Sequence, residues 1–320
     1  MRKPKGLGVR EIAAKLHVSI STVSRAMNND SRISEETIAN VLKTANEMGY
    51  HQKKNRKTIA IILPASDHSL GWYSINMLNA LIKVLSGKEY FWEFINADKT
   101  DILQERSLSG LISVDFNQSV AQEISRKYQI SLVCVNNKSC HYENVFSVNS
   151  DASSAISLSF EHLYNFGHRK IAFLSGSSVS FPGEKRKTAF LKICEEYKIS
   201  KDCICLSSKG AALYGKILDL YKSGVTGIIA DGESESLSVL NALKYCKISV
   251  PRKMSLITWE TPFVSEFMDP PITTVGQNFE ALAENAVEML ELSMNRKTVP
   301  NDVLVPYRLH LRSSVALPPK

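Results

Sequence analysis

Long apolar runs are missing from this sequence of 320 residues: none approaches the ~20 needed to cross a bilayer, so no membrane-spanning helix is expected. The start, MRKPKGLG, is basic but leads into no apolar stretch of signal-peptide length, and the chain is read as soluble and cytoplasmic. Cysteine offers little chemistry. The six (Cys134, Cys140, Cys194, Cys203, Cys205, Cys246) are scattered without a CxxC pair, and several fall in apolar runs where buried, reduced thiols are the default. Cys203-Ile-Cys205 has no histidine nearby, and the seven histidines are dispersed. Enzyme signatures are absent too: there is no H-E-x-x-H, no G-x-S-x-G elbow and no G-x-G-x-x-G after a strand. SGSSVSFPGEKRKT (Ser175–Thr188) fails the spacing of a phosphate loop. No catalytic residue, metal ligand or cofactor is therefore assigned, and the chain is not expected to be an enzyme.

Charge, by contrast, is strongly segregated. Residues 1–57 hold 12 Lys and Arg against 5 Asp and Glu, whereas the remainder carries 27 of each sign. The entire basic excess of +7 lies at one end, as neutralisation of a phosphate backbone requires. Within it, VREIAAKLHVSISTVSRAMN (Val9–Asn28) reads as two short amphipathic helices joined by a tight turn. Val9, Ile12, Ala13 and Leu16 share one helical face. Val18 fits between the helices and Ser19 is placed to cap the second. Thr22, Val23, Ala26 and Met27 point inward, which leaves Ile20, Ser21, Ser24, Arg25 and Asn28 outside. This is the pattern of a helix-turn-helix, whose second helix enters the DNA major groove. A third helix starts at Ser34-Glu35-Glu36-Thr37, buries Ile38, Val41, Leu42, Ala45 and Met48, and ends at Gly49.

Past the basic linker HQKKNRK (His51–Lys57), strand-like runs recur: Ile59–Pro64, Phe91–Ala97, Gly110–Asp115, Ser131–Asn136, Lys170–Gly176, Gly227–Asp231 and Ser255–Trp259. Helical stretches such as Tyr73–Leu85, Ala152–Phe166 and Glu184–Tyr197 lie between several of them. The alternation predicts an α/β core of parallel sheets in two lobes.

The opening segments VREIAAKLHVS, STVSRAMNN and RISEETIANVLKTANEMGY resemble the headpiece of the lactose-repressor (LacI/GalR) family of bacterial transcription regulators, most specifically in TVSRAMN (Thr22–Asn28). FEHLYNFGHRKIAFLSG (Phe160–Gly176), EKRKTAF (Glu184–Phe190), MSLITWE (Met254–Glu260), DPPITTVGQNF (Asp269–Phe279) and the helix Ala281–Leu292 resemble the family's core, which has the fold of periplasmic sugar-binding proteins. The resemblance implies a headpiece at 1–50, a linker at 51–58 and an effector-binding and dimerising core at 59–320. In that core, lobe one takes about 59–150 and 278–300, and lobe two about 151–277 and 301–320. It implies a homodimeric repressor on a near-palindromic operator in double-stranded DNA, modulated by a small sugar-like molecule between the lobes. Alternatives are a small-molecule sensor with weak, non-specific DNA binding, and a constitutive regulator whose pocket is vestigial.

On and around the exposed face of the second helix, Ile20, Ser21 and Arg25 are the expected base contacts, and Ser19, Thr22, Ser24, Asn28 and Arg32 the phosphate contacts. For the effector, carried over residue by residue, the positions are Trp72, Tyr73, Asn136, Arg186, Glu260, Gln277 and Phe279. The chain departs from the family in several places. Its linker is too short for the usual hinge helix with its leucine wedge. The segment from Asp98 to Gly110 is too short for a full helix. Gly232 and Glu233 stand where Asn-Asp is usual, and Ser207–Gly210 lacks a customary aromatic.

Overall fold

The computed structural model describes residues 8–27, 30–48, 50, 57–65, 70–88, 90–114, 118–137, 142–175, 181–199, 204–206 and 211–319. They fall into two compact units, residues 1–56 and 57–320. Residues 51–56 of the linker expected at 51–58, Gly49 as a helix stop and Asn28 as a phosphate contact lie outside the described residues, and Thr58 already belongs to the first strand.

In the first unit, helices α1 (Val9–Leu16), α2 (Ile20–Met27) and α3 (Glu35–Glu47) enclose a core of Ile12, Ala13, Val23, Ala26, Met27, Val41 and Ala45. His17, in the left-handed region at φ 55°, closes α1 and lets Val18 turn in against this core. Ser19 Oγ accepts from Thr22 N–H at 3.0 Å, and Ser34 Oγ from Thr37 N–H at 3.3 Å, so both expected caps form. One expectation fails in α3: Leu42 is half exposed, and Thr44 is buried in its place. Ile38, Val41, Ala45 and Met48 form a stripe at helical spacing; Leu42, one turn on from Ile38, lies at its exposed edge and Thr44, one turn before Met48, at its buried edge.

The second unit holds two six-stranded sheets. In chain order its elements begin β1 (Thr58–Leu63), α4 (Trp72–Ser86), β2 (Phe91–Asn96), a 3-10 helix (Ala97–Glu105), β3 (Gly110–Ser113), α5 (Gln118–Lys127), β4 (Leu132–Val135) and β5 (Val145–Ser150). Next come α6 (Ala152–Asn165), β6 (Ile171–Ser175), α7 (Phe181–Glu196), β7 (Ile204–Leu206), α8 (Ala211–Lys222), β8 (Gly227–Asp231), α9 (Glu233–Tyr245), β9 (Ser255–Trp259) and β10 (Thr273–Gly276). The last are α10 (Phe279–Met294), β11 (Asp302–Val305) and β12 (Arg308–His310). Sheet one runs β11-β5-β4-β3-β1-β2 and is wholly parallel; sheet two runs β12-β10-β9-β8-β6-β7, with β12 alone antiparallel.

Continuous apolar strands follow from this burial on both faces. In β1, Ile59 and Ile61 join a cluster with Met77, Leu81, Leu282 and Val287, while Ala60 and Ile62 point the other way, to Ile95, Leu103, Val120 and Ile124. Sheet two repeats the division: Ile228 and Ala230 face α8 and α9, and Ile229 faces Phe160 and Phe190 of α6 and α7. His168 is buried between Thr226 Oγ1 (2.8 Å) and the Ala316 carbonyl (2.9 Å). Burial lowers its pKa, so the neutral ring donates from Nε2 to the carbonyl and ties the C-terminal segment down.

The chain passes between the lobes three times: after β5, after β10 and between β11 and β12. The predicted return at 300 comes too early. Asp302 to Val305 pair in register with Ser147 to Ser150, so the switch to lobe two follows Val305. Between Asp98 and Gly110 there is no α-helix; a 3-10 helix, broken at Lys99 (φ −124°, ψ 26°), anchors itself through Thr100 and Leu103. Phe91 and Phe94 of the edge strand β2 remain 52% and 47% exposed. Among the described residues no helix is long and apolar enough to cross a membrane.

Candidate functional site

In the headpiece, α2 turns Val23, Ala26 and Met27 into the core. The opposite face presents Ile20, half exposed, with Ser21, Ser24 and Arg25 also exposed. An apolar contact, two hydroxyls and a guanidinium within two turns suit base edges and the phosphates flanking them. Ser19 and Thr22 hold the start of this helix: Ser19 Oγ lies 2.7 Å from Ser21 Oγ and 2.8 Å from Thr22 Oγ1, besides capping Thr22 N–H. Arg32 is less available than its sequence suggests. Its Nε and Nη2 donate to both oxygens of Asp30, at 2.9 and 2.6 Å, and that pairing holds the Asp30 carboxyl well below the usual range. To reach a phosphate, Arg32 must leave Asp30, an exchange that a solvent-exposed pair permits.

In the second unit, Tyr73, Asn136, Gln277 and Phe279 come together where the lobes join. Asn136 Nδ2 donates to Gln277 Oε1 at 2.7 Å and to the Tyr73 hydroxyl at 3.2 Å. The Tyr73 and Phe279 rings lie 5.9 Å apart. Burial pushes the Tyr73 phenol up, so it stays a neutral donor. Beside this group is a pocket of about 320 Å³ whose walls include Trp259, Glu260, Phe263, Gln277, Phe279 and Arg312. Trp72, Tyr73, Asn136 and Arg186 are not among its walls, and Trp72 stands 45% exposed at the start of α4.

The two charged residues expected to grip a ligand are each held by a partner. Arg186, 9% exposed, pairs with Asp231 (Nε to Oδ1, 2.8 Å), and its guanidinium lies 4.9 Å from the Trp259 ring centroid. Arg312 takes both oxygens of Glu260, Nη1 to Oε2 at 2.9 Å and Nη2 to Oε1 at 3.2 Å, and Thr274 donates to the same carboxylate. Burial alone would raise the Glu260 pKa, but the hydrogen bonds from Arg312 and Thr274 outweigh it and hold the carboxyl low. A group depressed in this way adds stability above its unfolded pKa, near 4.5, and that stability is lost as pH falls through the lower folded value. The melting temperature of the wild type should therefore exceed that of Glu260→Gln at pH 7, and the gap should close on acidification below about pH 4.5. A gap that persists unchanged to pH 3 would assign the difference to packing rather than charge.

Sequence reading missed Asp231, Arg312, Ser150 and Phe263. Asp231 left a trace, a carboxylate closing the otherwise apolar strand GIIAD. Arg312 lies 52 residues from Glu260 and left none. Among the described residues no group of three or more His, Cys, Asp or Glu is placed to hold a metal ion.

Residues 9–53 match the profile of bacterial regulatory proteins of the lacI family, and residues 160–315 that of a periplasmic binding protein-like domain. Over 329 residues the chain is 24% identical to the HTH-type transcriptional regulator GalR of Lacticaseibacillus casei, covering 96% of this chain and 98% of that protein. Its fold matches the lac repressor dimer bound to operator and the anti-inducer ONPF, with TM-score 0.79, 18% identity and coverage of 98% and 100%. It also matches the complex of the transcriptional regulator CelR with cellobiose, at TM-score 0.68, 19% identity and coverage of 97% and 100%. At these identities the structural matches establish a shared fold.

Proposed function

The chain belongs to the LacI/GalR family of bacterial transcription regulators, and from that premise we propose that it is a repressor acting as a homodimer on a near-palindromic operator. One observation carries the reading: the exposed face of α2 offers Ile20, Ser21 and Arg25 from a headpiece that together with its linker holds the whole basic excess of the protein. Arg25 suits the O6 and N7 of guanine, and Ile20 a thymine methyl. Ser19, Thr22, Ser24, Asn28 and Arg32 fix the register through phosphates. The domain arrangement of the proposal is a headpiece at 1–50, a linker at 51–58 and a sensing core beyond it, working in the cytoplasm without a catalytic step.

The dimer seam is assigned to the first lobe. Trp72 and Ile75 of α4 are 45% and 44% exposed. Phe94 is two residues on from Trp92, which packs into the α4 side of the sheet, so it points to the same side and extends that apolar face. The effector is a small polar molecule of the sugar type, held in the 320 Å³ pocket by Gln277, Phe279 and Glu260; Asn136, Tyr73 and Arg186 stand behind the walls, against Gln277, Phe279 and Trp259, and Trp72 does not line it. CelR, with the same fold, binds cellobiose. A constitutive regulator is the second reading, and the two closed ion pairs, Arg186–Asp231 and Glu260–Arg312, favour it.

Selection of bound sequences from a random duplex pool, with the intact chain near physiological salt, tests the proposal. A palindromic motif supports it. Binding without enrichment that vanishes as salt rises would leave only non-specific phosphate contact and sink the repressor reading. Thermal shifts with sugars separate the two pocket readings, because a ligand at 100 times its Kd stabilises by about 2.7 kcal/mol. No shift with any sugar, nucleoside or amino acid would favour the constitutive one.

A further inference from the structure

Gln277 belongs to two constellations at once. It lines the 320 Å³ pocket beside Glu260 and Phe279. Its Oε1 also accepts two hydrogen bonds away from the pocket walls, from Asn136 Nδ2 at 2.7 Å and from Ser150 Oγ at 2.9 Å. Asn136 completes a triangle by accepting from Ser150 N–H through Oδ1 at 2.6 Å. Asn136 directly follows β4, Ser150 ends β5, and Gln277 follows β10. Ser150 and Gln277 therefore stand on two of the three passages between the lobes. The third is tied to the first, since Asp151 N–H donates to Val305 O at 2.8 Å and Tyr307 N–H to Ser154 Oγ at 3.1 Å. The angle between two rigid lobes is set where their passages meet, so a few bonds at that place act on the whole movement.

Asn136 suits this task better than a ligand contact. It is 6% exposed, is absent from the pocket walls, and has both ends of its amide engaged by protein. Its backbone sits at φ 53°, in the left-handed region that asparagine tolerates better than most residues.

The geometry points to Asn136, Ser150 and Gln277 as a latch that holds the lobe angle, released when a hydroxyl-bearing ligand in the pocket donates to Gln277 Oε1 in place of Asn136 and Ser150. This rests on reading the pocket as an effector site. Each bond that Gln277 Oε1 accepts from a ligand hydroxyl is one withdrawn from Asn136 Nδ2 or Ser150 Oγ, which are then left as unpaired donors at the hinge. The passages shift until those groups find new partners, and the lobe angle favoured with the ligand differs from the one without it.

The test is hydrogen exchange by mass spectrometry on the full chain, following residues 145–155 and 272–280, together with affinity for the selected operator. Asn136→Gly removes the amide while keeping a residue at ease at φ 53°. Gln277→Ala removes the shared corner, and Gln277→Glu keeps an acceptor for both donors. Where the glycine variant does not fold, Ser150→Ala opens the triangle at its third corner. The expected result is a three- to tenfold rise in exchange in both segments for Asn136→Gly and Gln277→Ala, the size of one or two lost hydrogen bonds. Gln277→Glu should stay near the wild type. Operator affinity should change by the same factor and in the same direction in the two loosened variants, although Asn136 lies outside the pocket. Unchanged exchange at 272–280 in Asn136→Gly, or a Gln277→Glu protein as loose as Gln277→Ala, would overturn the latch. Raised exchange with unaltered operator affinity would overturn its regulatory role. An empty result from duplex selection would count against the repressor reading alone, because the exchange measurement judges the latch without DNA.

Discussion

Arg25→Ala should weaken binding to the selected operator by about 1–3 kcal/mol and relax the preference at one base position in each half-site. Arg25 projects from the exposed face of α2, and Ala26 and Met27 beside it hold the helix on the headpiece core. Truncation therefore removes a fork of donors without disturbing the fold, and headpiece stability should hardly change. Repeating the duplex selection with the variant is the check. If binding to every sequence falls equally and the salt dependence weakens by about one ion, Arg25 grips a phosphate, and base recognition rests on Ile20 and Ser21.

In the core the largest effect is expected from Asp231→Ala, a loss of about 3–5 kcal/mol in urea unfolding. Asp231 is 3% exposed and Arg186 is 9% exposed, so deleting the carboxylate leaves a guanidinium in a dry place beside two neutral groups, the Trp259 face and the Tyr307 hydroxyl. The damage comes from the stranded charge more than from the bond itself. Removing both charges together, as in Arg186→Met with Asp231→Leu, should recover most of the loss, and a double-mutant cycle would report strong coupling. A cost below about 1 kcal/mol for Asp231→Ala would mean that water reaches Arg186 and that its guanidinium is open to a ligand after all.

What the sequence made legible follows from which forces are local. Helices α1 to α3 were readable because their buried residues recur at helical spacing and their caps are Ser19 and Ser34, both close to the residues they serve. Strands β1, β8 and β9 were readable because burial on both faces leaves an unbroken apolar run. β7, β11 and β12 are sheet edges of three or four residues, and β11 and β12 expose most of theirs, so neither carries a signal that stands above a loop. Tyr73, Asn136, Gln277 and Phe279 were named from the resemblance, and the structure brings them together. The partners of Arg186 and Glu260 were hidden, since ion pairing joins elements that only the finished sheet places side by side. Leu42 shows the opposite error: it lies at one edge of the α3 stripe and Thr44 at the other, and spacing alone does not say which edge is buried.

The pairing of Asp302 with Ser147 sets an order of events during synthesis. A ribosome delivers the first 56 residues, and with them a complete three-helix core, long before either sheet can close. Sheet one waits for β11 and sheet two for β12, which are the last strands to emerge. Domains fold as units from the N-terminal end as they appear. The headpiece core is thus complete before the parts proposed to pair and to sense have formed. A message cut short anywhere between codons 57 and 302 would encode the headpiece without a finished sheet to govern it.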